Sequence, residues 1–240
     1  MCYYNGDLEF KNKGGSQMSK YLIDYHINGH AKYFDFYLFV NPLGRKCFFS
    51  EQEISRTKAL ISSKVDLNIL CVCNEYILND FLSRIGLTNC SLKVRNEVYH
   101  KLYHTALAIK SASLQGKQKS RHYFLCLENN LEKDMSKLTQ DTLYQIAELA
   151  NLDIDLFIED YQSKLVRKLY LNDLKIAQSM TVHKTPTLVV FDSTNDLGGY
   201  KIEDNVTLKS ALELLDQMMI CQCDCSPINI KSTHPLFILH

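Results

Sequence analysis

Phe39–Cys47 reads FVNPLGRKC: the end of an apolar run, a break at Asn41-Pro42, and a short turn that opens a helical pattern. Upstream, Tyr33–Val40 (YFDFYLFV) is rich in aromatic and β-branched residues and becomes continuously apolar at its end, as a strand covered on both faces does. Downstream, helical spacing from Gly44 runs to about Ser62, and Asp66–Cys73 (DLNILCVC) reads as a second buried strand. Strand, helix, strand predicts a parallel pair joined by a right-handed crossover.

From about Glu75 to Met180 there is almost no strand signal. Val94, Val98, Leu102, Ala106 and Ile109 recur at spacings of three and four, which predicts an amphipathic helix, and Gly116 marks its stop. Further helical stretches are expected over Gln118–Asn130, Gln140–Ala150, Asp153–Tyr161 and Lys164–Met180. In the last of these, Leu165, Leu169, Ile176 and Met180 mark the apolar side. Strand signals return at Thr187–Phe191 and Tyr200–Glu203, and the turn-rich Asn195–Gly199 between them favours an antiparallel hairpin. Leu208, Ala211, Leu212, Leu215 and Met219 trace a final helix.

The order βαβ, helical insert, ββα is that of an α/β thioredoxin fold carrying an inserted all-helical lobe. It divides the chain into an N-terminal extension (1–31), a thioredoxin-like domain (32–74 and 181–220), the inserted lobe (75–180) and a cysteine-rich tail (221–240). Lys13-Gly14-Gly15 can be encoded as a ribosome-binding sequence two codons ahead of Met18, so translation is expected to start at Met18.

In a thioredoxin-type site the first cysteine of Cys-x-x-Cys lies at a helix N-terminus, where free backbone N–H groups and the helix dipole favour its thiolate. The second, nearly one turn inside, resolves the mixed disulfide. Here Gly44 stands at the first position and only Cys47 remains, whereas a dithiol cycle needs two neighbouring sulfurs. Arg45 and Lys46 add positive charge that favours a Cys47 thiolate, and burial opposes it. The partner half of such a site is Lys184–Phe191 (KTPTLVVF), with Thr185-Pro186 ahead of an apolar strand. A cis Thr185-Pro186 bond facing the turn offers backbone to an extended peptide by strand addition, while a proline that merely opens a strand is the plainer alternative. A peptide-binding site is therefore expected from Pro42, Leu43, Gly44, Arg45, Lys46, Cys47, Thr185 and Pro186. No cofactor is expected, and no catalytic residue beyond the candidate lone thiol Cys47.

Bulk composition sets the class of partner. Lys plus Arg (27) balance Asp plus Glu (27), so no long-range field draws the chain to nucleic acid or to an anionic membrane. No apolar run approaches the roughly 18 residues of a spanning helix, and Met1–Lys20 lacks the apolar core of a secretion signal. Nine scattered cysteines suit reduced thiols in a cytoplasm better than a disulfide framework, with Cys71, Cys73 and Cys126 as small buried hydrophobes.

Three segments, FVNPLGRKC, ALAIKSASLQGKQ (Ala106–Gln118) and DLKIAQSMTVHKTPTLVVF (Asp173–Phe191), resemble in order and separation the DsbA-like SpxH (YjbH) family. That family serves as ClpXP adaptors for the transcription factor Spx in low-GC Gram-positive bacteria. The resemblance runs from about His26 to Met219, and His26 and His30 sit where the family carries a short histidine-containing stretch. The family turn reads proline-leucine and then Cys-x-x-Cys; Pro42-Leu43 is kept, Cys47 matches the second cysteine and Gly44 replaces the first. The resemblance implies an adaptor that presents an Spx-like client to ClpX or ClpXP without disulfide turnover. The alternative it carries is a DsbA-family thiol-disulfide oxidoreductase, or a glutathione-using enzyme, acting through Cys47.

Weaker signals remain. Cys221, Cys223 and Cys225 share a face if extended, or converge on a soft metal if looped, with His234 and His240 as further ligands. Zinc sites more often use Cys-x₂₋₄-Cys pairs, so a thiol-rich tail is the plainer reading, and a metal or redox sensor the other. His100 and His104 lie on one helical side without an H-E-x-x-H frame, and Lys117–Arg121 reads as an exposed face.

Overall fold

The computed structural model describes residues 22–27, 29–131, 138–194, 198–223 and 237–239. Chain order is β1 (His26–Ile27), β2 (His30–Ala31), β3 (Tyr33–Val40), α1 (Arg45–Leu60), β4 (Lys64–Cys71), α2 (Glu75–Arg84), α3 (Leu92–Leu114), α4 (Lys117–Leu131), α5 (Gln140–Leu149), α6 (Ile154–Gln162), α7 (Lys164–Ser179), β5 (Thr187–Asp192), β6 (Gly199–Glu203), α8 (Leu208–Cys223) and β7 (Phe237–Leu239). The main sheet runs β4-β3-β5-β6-β7. β3 pairs with β4 in parallel, from Tyr33 opposite Lys64 to Val40 opposite Cys71, and every other pairing in this sheet is antiparallel. This is the expected α/β thioredoxin fold with an inserted helical lobe.

The alternation of β3 explains why it sits centrally. Phe34, Phe36, Leu38 and Val40 all point to one face and join the largest core, which also takes in Phe48 and Ile54 of α1 and Ala211, Leu214, Leu215 and Met218 of α8. Phe39, next along the strand, points the other way and packs with Leu70, Val189 and Ala177 of α7. A strand filled on both faces at its C-terminal end leaves no register freedom, because a one-residue slip would exchange the two cores. The helical lobe is not separately packed. Ala106–Ile109 of α3, Tyr123 and Phe124 of α4 and Phe157 of α6 belong to the same buried cluster as the β3 face.

Local chemistry sets the helix starts. Asn74, Ser91, Thr139, Asp153 and Ser163 each accept a hydrogen bond from the backbone N–H three residues on, capping α2, α3, α5, α6 and α7. Each such cap is worth about 1 kcal/mol. At α1 the N-cap is Gly44, which provides no side-chain cap.

Several expectations change. β4 lies two residues earlier than Asp66–Cys73, since pairing with all of β3 draws in Lys64 and Val65. The stretch assigned to an N-terminal extension is built into the fold from residue 22: Ile23 bridges Ile61, Tyr25 is buried, and its hydroxyl donates to Asp216 at 3.1 Å. Arg121 is not simply part of an exposed face, since it reaches the buried Glu51 at 2.7 Å. Cys71 and Cys73 are buried, but Cys126 is only half-buried on α4. α8 continues to Cys223, so Cys221 and Cys223 sit on helical backbone rather than on a strand or loop, and the tail adds strand β7 beside β6. Met18, Cys225, His234 and His240 lie outside the described residues.

At Gly199 the sheet itself excludes a side chain, because a Cβ there would meet ring carbons of Phe191 at 2.6 Å. That ring is braced edge-on by Tyr37 at 5.9 Å. Gly199→Ala is expected to cost about 1–3 kcal/mol of stability as an overpacked site. Gly199→Ala with Phe191→Leu should regain part of it in urea titrations, and an unchanged midpoint for the single variant would refute this packing.

Candidate functional site

Where β3 ends, Asn41 turns the chain. Its buried side chain accepts from the Leu43 N–H at 2.9 Å, its carbonyl accepts from the Gly44 N–H at 3.1 Å, and its own N–H donates to the Cys47 sulfur at 3.2 Å. One residue thus shapes the turn and holds the thiol. Gly44 has φ −86° and ψ 116°, ordinary extended backbone open to any residue. What position 44 lacks is therefore a side chain, not a permissible conformation.

Cys47 lies one turn inside α1 and is 1% exposed. Burial pushes its thiol up to about 11, against the opposing pull of the Asn41 N–H, a hydrogen bond from the Thr185 side chain and the nearby Arg84 charge. At neutral pH the group is a protonated, enclosed thiol, the reverse of the exposed thiolate a nucleophile needs. The Thr185-Pro186 bond is cis, and Thr185 faces Cys47, so the two halves read in the sequence do meet.

The candidate residues divide by exposure. Pro42, Cys47, Thr185 and Pro186 are buried, Leu43 and Gly44 are half-buried, and Arg45 and Lys46 face solvent. The accessible part of the site is thus the turn Leu43–Lys46. Around it runs a ring of charge that has no signature in the local sequence. A single oxygen of Asp204 accepts from Lys46 at 3.0 Å and from Arg84 at 2.9 Å, and Arg84 also meets Asp80 at 2.8 Å. The Asp204 N–H donates to the Pro186 carbonyl at 2.8 Å, tying the ring to the proline loop. Partial burial draws the Asp204 carboxyl upward, but Lys46 and Arg84 outweigh it and hold it below the ordinary carboxylate range. Tyr76, at the start of α2, meets His183, just before Lys184, with ring centroids 4.8 Å apart.

His100 and His104 do not form a metal pair with other donors. His104 Nδ1 lies 2.7 Å from the Tyr161 hydroxyl, and among the described residues no group of three or more His, Cys, Asp or Glu could hold a metal ion.

A family model described as Thioredoxin matches residues 37–212. The protein of Bacillus licheniformis named ClpXP adapter protein SpxH is 28% identical over 210 residues, covering 81% of this chain and 70% of its own length. The Bacillus subtilis protein of the same name is 28% identical over 212 residues, covering 81% and 71%. Among solved structures, the oxidoreductase DsbA from Xylella fastidiosa is similar with a TM-score of 0.55 at 13% identity, covering 79% of this chain and 86% of that one. A single-substitution variant of Pseudomonas aeruginosa DsbA gives 0.56 at 12%, covering 84% and 92%. At these identities the structural likeness speaks for the fold alone.

A Cβ placed on Gly44 would lie 3.1 Å from the Cys47 sulfur. That is close to the roughly 3 Å from β-carbon to far sulfur in a bridge whose S–S bond is about 2.04 Å. Gly44→Cys should therefore oxidise to an intramolecular disulfide, read as the loss of two titratable thiols and of about 2 Da in the intact mass. Two thiols persisting under mild oxidant would contradict the geometry. In the natural chain, iodoacetamide should label Cys47 far more slowly than the half-buried Cys90. Because its thiol is shifted upward to about 11, labelling of Cys47 should still be climbing as pH passes about 10, where an ordinary thiol levels off. Peptide mass spectrometry after timed quenching resolves the two sites, and equal rates at neutral pH would count against an enclosed sulfur.

Proposed function

The chain belongs to the thioredoxin family, and from that premise we propose that it is an adaptor of the SpxH type, which presents an Spx-like client to the ClpXP protease without turning over disulfides. Two relatives spanning about four-fifths of the chain carry the ClpXP adapter name. The observation that carries the reading is the state of the site: one buried, protonated sulfur beside a first position that has no side chain. Disulfide exchange requires a thiolate to attack and a second thiol to release the product. Neither requirement is met at Gly44 and Cys47.

Tethering has no such requirement. An adaptor that holds a client and a protease together converts a second-order encounter into an intramolecular one, at effective concentrations on the order of millimolar for short spans. The scaffold suits this role, because the turn, the proline loop and the lobe helix α2 converge on one rigid surface. No described helix is long and apolar enough to cross a membrane.

With purified ClpXP and Spx, the full chain is expected to accelerate Spx degradation at stoichiometric amounts. Cys47→Ala should keep that acceleration, and both forms should leave insulin disulfides intact. Absence of any effect on Spx half-life would sink the adaptor reading. Insulin reduction that disappears with Cys47 would instead establish the oxidoreductase.

A further inference from the structure

The charged groups around the turn are open to solvent. Arg45, Lys46 and Lys184 are exposed and Arg84 is partly so, while the acids paired within the ring are Asp80 and Asp204. Asp204 is unusual in three ways. It adopts φ 65°, a left-handed turn conformation that Asp and Asn accept more readily than other residues with a β-carbon. One of its oxygens serves two cations drawn from α1 and from α2. And its side chain is 48% exposed, facing Lys46 at 58% and Arg84 at 29%, so the contacts are open to solvent and to exchange. Ion pairs this exposed contribute little to folding. An exposed carboxylate held over two cations is thus poorly explained as a stabilising device, and well explained as a place where a carboxylate is wanted.

The geometry points to this rim as the contact for an acidic, extended segment of a partner protein, with Asp204 occupying the partner's carboxylate position while the chain is unbound. The inference rests on the adaptor reading for its biological meaning and names the chemistry of the client segment. Lys46 and Arg84 sit on two different elements and converge on one oxygen, so an incoming carboxylate that displaced Asp204 would find the same two donors already oriented. Arg45, next to Lys46 on the turn, and Lys184, next to Thr185 on the proline loop, are exposed as well. Half-buried Leu43, on the same turn as Lys46, adds an apolar contact.

The arrangement predicts opposite effects for residues that touch each other. Fluorescence anisotropy of a fluorescein-labelled peptide of alternating Glu and Ser, at low ionic strength, is measured against the full chain. Lys46→Gln and Arg84→Gln should each weaken binding about two- to fivefold, the range expected for exposed ion pairs. Asp204→Asn, which keeps a residue type tolerant of the left-handed turn, should tighten it by a similar factor because Lys46 loses its acid and Arg84 keeps Asp80 alone. The same peptide with Gln for Glu should bind more weakly to every form, and added salt should erase the differences. Unchanged or weaker binding by Asp204→Asn, or equal affinity for the Gln peptide, overturns the inference. Running the same variants in the Spx degradation assay separates the two readings. Acceleration that persists while Asp204→Asn fails to tighten peptide binding removes the acidic-segment inference and leaves the adaptor standing. Peptide responses as predicted with no acceleration by any form remove the adaptor alone.

Discussion

The enclosure of the Cys47 sulfur between the end of β3 and the proline loop is the constraint on which the site depends. Asn41 reaches the sulfur with its own N–H and shapes the turn with its side chain and carbonyl, while Thr185 closes the opposite side. A packed thiol held in this way links the start of α1 to the end of β3 and to the proline loop. It also disfavours the thiolate, because desolvation works against the charged sulfur more strongly than the neighbouring donors favour it.

The lobe is bound to that scaffold by burial rather than by a flexible link. α3 runs through the common core, and the buried Lys110–Asp173 ion pair joins it to α7, with burial pushing the Asp173 carboxyl up against the pull of Lys110. A buried pair of this sort adds little net stability over apolar packing, but breaking it would leave an uncompensated charge inside, so it specifies one docking of α7 on α3. α2 is then held so that Arg84 reaches Asp204 across 120 residues of sequence. The rim is made of pieces from the turn, the lobe and the β6–α8 connection, and α2 is held beneath it by Leu78, Phe81 and Leu82 packed with Val98 and Leu102 of α3.

Much of the architecture was legible because periodicity is a strong local signal. The βαβ unit, the run of lobe helices from Leu92 to Ser179, the hairpin of β5 and β6 and the last helix all appear where the pattern puts them, but α7 buries Val166, Tyr170, Asp173 and Ala177 and leaves Leu165 of the expected apolar side exposed. Boundaries moved where pairing overrode pattern, as in the earlier start of β4. The short β1–β2 hairpin has strands of two residues each, too short for a period to show, and β7 depends on the free edge of β6. At the site, Gly44, Cys47, Thr185 and Pro186 were readable from their setting beside strands. Asn41 stood inside the quoted motif without an assigned role, since only the folded turn shows its N–H aimed at a sulfur.

The sequence by itself determined which sulfur is missing and which scaffold lacks it, because both are matters of residue type at fixed spacing within one strand, turn and helix. Tertiary structure alone decided that the remaining sulfur is buried and protonated, and that Asp204 and Arg84 meet Lys46 beside it. The reason is physical: desolvation and ion pairing depend on atoms brought within a few ångströms from segments far apart in the chain, and no local pattern of residues encodes that distance.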